Sequence, residues 1–398
     1  MSTKPLHLLY FLVSGLVLAC SSPSQQELEL AEHYYGKALV AKSNLDYHTA
    51  LAYLDSALQK NPRHFMALLH QGLIYARMHD YERSDAAYRR ALKIRPDFLD
   101  ARYNLGNNAL RRQHYKDAIR IYEDLLKFKE APEFWHNLGR AHLELGDSAQ
   151  AARCFQRALA LDSTYAYAYH NLGTLAERGG NYTAAVRYYR LATRHAPASD
   201  EYWFKFGLVL QQSGKKDSAE YAFKKALAIN PYHTGAVFNL ARLYQERQSP
   251  EAERWLQQAR ELRQQDAVLS RLRRAIVQNP RDPSIHHSMA MEYVKRKQWL
   301  EAIREFKLAL SLRPNDYRSR INLANVYMVL GNVRKALSEY EKVLGQAPLS
   351  KEALANIGLA YLRLERPDSA RLYWMQLLKI DPGNAIAREG LQQLNQQH

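Results

Sequence analysis

A proline preceded by Asn, Arg, Ala or Asp returns along this chain at a regular interval, as Pro62, Pro96, Pro197, Pro231, Pro280, Pro314, Pro348 and Pro382. Five neighbouring pairs stand 34 residues apart, and the 101 residues from Pro96 to Pro197 are one short of three such periods. Pro231 and Pro280 break the rule at 49. A chain built this way codes one small unit many times, each unit burying its apolar face on the next. Within the period, a small residue follows Leu on the first helix, as in Trp135-His136-Asn137-Leu138-Gly139 and Tyr169-His170-Asn171-Leu172-Gly173. That small residue lets a second helix approach closely.

The second helices carry apolar residues at i, i+4 and i+7: Ala118, Tyr122 and Leu125; Ala151, Phe155 and Ala158; Ala302, Phe306 and Ala309; Ala370, Trp374 and Leu377. This spacing draws one stripe along each helix. Gly146-Asp147, Gly180-Asn181, Gly331-Asn332 and His79-Asp80 suit turns in which a left-handed residue ends one helix and an N-cap starts the next. The register gives ten units: 31–64, 65–98, 99–131, 132–165, 166–199, 200–233, an irregular 234–282, then 283–316, 317–350 and 351–384. They leave no room for an enzyme domain, and no catalytic, phosphate-binding or EF-hand signature interrupts them.

A 34-residue helix-turn-helix period with proline between units resembles the tetratricopeptide repeat family over nearly the whole chain. The resemblance implies an all-α, right-handed solenoid of about ten units with a concave inner groove. The array is expected over 31–250 and 283–384, with residues 251–282 as an irregular helical junction and 385–398 as a capping helix and tail. Glu251 to Gln278 holds neither Gly nor Pro, so it reads either as one long helix or as two broken near Gln265-Asp266. Either reading predicts a bend between the two arrays.

The N-terminus has an apolar run from Leu6 to Ala19, with Lys4 its only charge before Glu27. The run is too short for a mature membrane span and reads as a signal peptide over 1–19. Its end, Val17-Leu18-Ala19-Cys20, resembles the lipobox of bacterial lipoproteins. That resemblance implies acylation of Cys20, a tether over 20–30, and a place in the cell envelope, weakly favouring the outer membrane because Ser21 follows the cysteine. Cys154 then remains alone, excluding an intramolecular disulfide, and its apolar neighbours predict a buried small hydrophobe.

Position six of the repeat holds Asn104, Asn137, Asn171, Asn239, Asn322 and Asn356. In the family this position faces the groove, and such an amide ladder implies contact with an extended peptide backbone, the competing reading being bracing between repeats. Specificity is expected from Tyr103, Asn107, His136, Arg140, Tyr167, His170, Phe204, Phe238, Arg242, His287, Ile321 and Asn325. The family's carboxylate clamp is not matched, because Tyr103, Tyr167 and Asn171 stand where it needs basic residues. The 56 Lys+Arg against 40 Asp+Glu give a net charge of +16, which attracts acidic proteins or anionic lipids. The expected function is therefore a membrane-anchored adaptor for a protein or peptide, without cofactor, metal, nucleic acid or small-molecule substrate. The alternative is a binder of envelope glycan or anionic lipid.

Overall fold

The structure, a computed structural model, describes residues 23–396. Cys20 and the signal peptide lie outside the described residues. The described residues form 21 helices and no strand. In chain order they are α1 (Gln25–Ser43), α2 (Tyr47–Lys60), α3 (Phe65–Arg77), α4 (Tyr81–Ile94), α5 (Leu99–Arg111), α6 (Tyr115–Phe128) and α7 (Pro132–Glu144). Then come α8 (Ser148–Leu161), α9 (Ala166–Arg178), α10 (Tyr182–His195), α11 (Asp200–Gln212), α12 (Lys216–Ile229), α13 (Thr234–Glu246) and α14 (Ala252–Gln278). The remainder are α15 (Pro283–Lys295), α16 (Trp299–Leu312), α17 (Tyr317–Val329), α18 (Val333–Gln346), α19 (Lys351–Arg363), α20 (Pro367–Ile380) and α21 (Ala385–Gln396). They pair as ten helix-turn-helix units, each packed on the next, and α21 closes the end against α19 and α20.

Close packing within a unit follows from the small residue of its first helix. A methyl added at Gly106 would stand 2.8 Å from the Tyr122 ring, and one at Gly207 would stand 2.5 Å from Phe223. Both rings are fully buried, and ring and glycine meet at a separation that only a bare α-carbon permits. Ala324 fills the same slot above Tyr340, where both are buried. Burial of each such ring contributes about 2–3 kcal/mol.

The turns between paired helices obey one rule. Each places a single residue in the left-handed region: Leu45, His79, Gln113, Gly146, Gly180, Gly214, Gln248, Lys297, Gly331 and Glu365, with φ between 52° and 85°. After it, Asp80, Asp147 and Asn181 accept a backbone N–H of the following helix, satisfying one of its unpaired donors.

One boundary differs from the sequence expectation. Residues 25–30, expected as tether, are the first turns of α1, started by a capping box in which Ser24 and Glu27 bond reciprocally. At the junction, the first of the two readings describes the chain: α14 is one unbroken helix of 27 residues, with no break at Gln265-Asp266.

The solenoid also returns on itself, since α16 packs against α2, seven units earlier in the chain. Leu308 and Leu312 of α16 join the apolar core of α1 to α5. Lys307 donates to the backbone carbonyl of Asn44. At the same seam Arg281 donates to Asp80 Oδ2 from Nε at 2.9 Å and Nη2 at 2.6 Å. Burial alone would raise the Asp80 carboxyl, but hydrogen bonds from Arg83 and Arg281 hold it below its ordinary value. Among the described residues no helix is long and apolar enough to cross a membrane.

Candidate functional site

On units three to five, α5, α7 and the start of α9 line a recess of about 510 Å³. Its lining unites Tyr103, Asn107, His136, Asn137, Arg140 and Tyr167, six of the residues singled out by repeat position, with Leu110, Arg111 and Tyr165. The volume is that of a pocket for a few side chains. Tyr165 and Tyr167 pack their rings 5.6 Å apart, and His136 lies 5.5 Å from each. Arg111 and Arg140, which line the same recess, are exposed. Among the described residues neither pairs with a carboxylate, and Arg140 reaches only Asn137 Oδ1 at 3.5 Å. Guanidinium groups with no internal counter-ion, in a recess also lined by aromatic rings, are suited to carboxylates and rings of an incoming segment.

The asparagine ladder is largely engaged within the solenoid. Asn137, 5% exposed, donates from Nδ2 to Tyr103 Oη and Asn107 Oδ1, both at 3.1 Å and both one repeat back. Tyr122 donates to the same Asn107 oxygen at 2.8 Å. The arrangement recurs near the C-terminus, where Asn356 and Tyr340 both donate to Asn325 Oδ1, at 3.0 and 2.6 Å. Asn104 and Asn239 donate to carbonyls of their own helices, Asp100 and Gly235. Only Asn322 has no side-chain hydrogen bond among the described residues. Of the two readings of the ladder, bracing between repeats describes the contacts of Asn137, Asn171 and Asn356, whose amides tie one repeat to its neighbour.

The remaining candidates are scattered. His170 stacks on Tyr202 at 4.8 Å, and Phe204 packs on His233 at 4.4 Å. Phe238 lies under Arg263, and exposed Arg242 reaches Glu246. His287 bonds Ser319 at 2.7 Å. Ile321 is core rather than groove, at 3% exposure, because its position on α17 faces the adjoining helices. Cys154 is buried, and burial pushes its thiol up to about 11, so it stays protonated and unreactive.

Asn171 Nδ2 lies 2.8 Å from His136 Nε2. Burial, then the charge of Arg140, and more weakly His170, push the His136 imidazole down to about 3, against a smaller opposing effect of Asn137. The neutral ring therefore accepts the Asn171 amide through Nε2. Burial likewise lowers His70 to about 4, with Lys42 and His64 adding repulsion. Both groups bind a proton more readily when unfolded, near 6.5, so their contribution to stability is complete above pH 6.5 and declines as pH falls toward their folded values. Unfolding free energies from urea titrations should fall between pH 7 and 4, by up to about 1.4 kcal/mol per pH unit for each histidine. His136→Gln should flatten that slope, and an unchanged slope would show that His136 is not neutral in the fold.

The fold defines an all-helical repeat protein with a recess on units three to five. A sequence model of the tetratricopeptide repeat matches residues 35–97, 71–133, 136–201 and 321–385, and a second matches 293–348. A model of the middle tetratricopeptide-like domain of cilia and flagella-associated protein 70 matches residues 169–272. These matches span more than half of the chain, which belongs to the tetratricopeptide repeat family. It is 26% identical to human protein O-mannosyl-transferase TMTC3 over 69% of its own length and 29% of that protein. It is 23% identical to the antiviral innate immune response effector IFIT1 of Macaca fascicularis, over 89% of this chain and 79% of that one. The chain spans less than a third of the length of the first curated relatives it matches. Among solved structures, Pseudomonas aeruginosa pilF is 18% identical with a TM-score of 0.47, covering 55% of this chain and 100% of that one.

Proposed function

We propose that the protein is a non-catalytic adaptor of the bacterial cell envelope. Its recess on units three to five takes an extended, acidic segment of a partner protein, and acyl chains on Cys20 fix it to a membrane, the outer membrane facing the periplasm. The observation that carries this reading is the pair Arg111 and Arg140, which meet no carboxylate beside the Tyr165 and Tyr167 rings. The net charge of +16 supports it by steering an acidic partner toward the surface. The lipobox-like run ending at Cys20 supports the anchor.

One experiment tests both halves with the full chain, Cys20→Ala, and the double variant Arg111→Glu with Arg140→Glu. An extended peptide alternating Glu with Phe is titrated against each detergent-solubilised protein, and membranes are washed in high salt. The charge reversal should weaken peptide binding at least tenfold, about 1.4 kcal/mol, and still sediment with membranes. Cys20→Ala should bind the peptide normally and appear in the soluble fraction. Undiminished binding in the double variant overturns the groove assignment, and salt-resistant sedimentation of Cys20→Ala overturns the anchor.

A further inference from the structure

The seam between the first unit and units eight and nine contains a second cavity, of about 460 Å³, bounded by the α1–α2 turn on one side and by α16, α17 and α18 on the other. Four cations line it, Lys307, Arg320, Lys335 and Lys342, against two carboxylates, Asp46 and Glu339. The carboxylates are already engaged. Glu339 takes Arg320 and Lys342, both at 2.8 Å, and Asp46 caps α2 by accepting the Thr49 N–H at 3.1 Å. Lys335 pairs with no carboxylate among the described residues and reaches only the Tyr327 ring face, 5.9 Å away. Arg320 is mostly buried, and its Nε has no hydrogen-bond partner. An unpaired buried donor is costly. Burial lowers the Lys307 ammonium, and the attraction of Glu339 and Asp46, which balances the repulsion from Lys335 and Lys342, does not restore it. A bound anion would relieve all three conditions at once.

We propose that this seam cavity binds a compact, multiply charged phosphate group, and that the bound group fastens the first unit to units eight and nine. The cavity volume lies in the range of small-ligand sites, roughly 300–1,000 Å³, and its cations come from three successive helices around one cavity rather than from a row along an extended groove. Lysine and arginine together favour phosphate, which takes a point charge and a fork of N–H donors. The site has a wall in each of two regions that are far apart in sequence. A ligand bound to the closed form alone shifts the protein toward closure by its differential affinity.

The test titrates inorganic pyrophosphate by calorimetry into the full chain and into Lys335→Glu, an exposed substitution that removes no hydrogen bond. Amide exchange is followed at residues 45–49 and 307–313. The expected result is saturable binding, at least tenfold weaker in Lys335→Glu, with protection rising on both walls together. A second arm uses phosphatidylcholine vesicles with and without phosphatidic acid. Flotation that requires phosphatidic acid, is lost in Lys335→Glu and is competed by pyrophosphate identifies a lipid headgroup as the source. Pyrophosphate binding without such flotation identifies a soluble phosphate ester. The proposal is overturned by an absence of saturable binding, by equal affinity in Lys335→Glu, or by protection of one wall alone.

Discussion

Trp374→Ala is expected to remove about 3–5 kcal/mol of stability and to release the C-terminal cap. The indole is fully buried, its Nε1 donates to the Ala355 carbonyl at 3.2 Å, its five-membered ring meets Gly358 of α19 and its six-membered ring meets Gly390 of α21. Leu394 and Ala387 of α21 share its apolar cluster. One side chain thus joins the last unit to the helix that covers it. The last unit and α21 lie outside the α2–α16 seam and pack only on adjoining helices, so the loss should begin at this end. Urea unfolding should show a lowered midpoint, and amide exchange over 385–396 should approach that of an unstructured segment. Trp374→Phe should recover part of the loss while leaving a smaller void between the glycines. A loss below about 1 kcal/mol would mean that α21 is held by its other contacts.

The same tryptophan shows what the sequence makes legible. Its stripe partners Ala370 and Leu377, and the glycine it covers, follow from the repeat register, because a helix pair is a local object whose contacts recur at fixed spacing. The ten left-handed turn residues are equally local, although six of them are not glycine, and only the following N-cap betrays those. The capping box at Ser24 and Glu27 was readable as a Ser-x-x-Glu signature, but a register anchored on Pro62 starts the array at residue 31 and hides it.

The seam lies beyond such reasoning. Lys307 and Asn44 are 263 residues apart, and Arg281 and Asp80 are 201 apart. Contacts of that reach depend on small rotations between successive units, which accumulate over seven units without leaving a local signal. Arg111 escaped for a simpler reason. It ends α5, outside the groove positions considered, and only the bundling of α5, α7 and α9 brings it to Arg140. The asparagine ladder was located by position six, but the fate of its amides depends on what the previous repeat offers. Asn107 and Asn325 offer a carbonyl oxygen, and each receives both an amide and a tyrosine hydroxyl.

Replacing Asn137, Asn171 and Asn239 together by Ala is accordingly expected to reduce stability by about 2–5 kcal/mol while changing affinity for the acidic peptide less than threefold. Asn137→Ala deprives Tyr103 and Asn107 of a buried donor, and Asn171→Ala leaves His136 Nε2 without its partner at 2.8 Å. Each of these costs about 1–3 kcal/mol, the range for a buried polar group that loses its hydrogen bond. Asn239→Ala should be nearly neutral, because its amide serves only the Gly235 carbonyl on its own helix. Asn137 and Asn171 border the same imidazole, so their single effects should not add. The single variants, the triple variant and the native chain are compared by urea unfolding and by peptide titration. Stability that holds while affinity collapses would mean that the amides leave their neighbours when a peptide arrives, and that the ladder, rather than the two arginines, grips its backbone. The opposite pairing leaves recognition with Arg111, Arg140 and the tyrosine wall, and it gives the asparagines the separate task of keeping successive units in the register on which the recess depends.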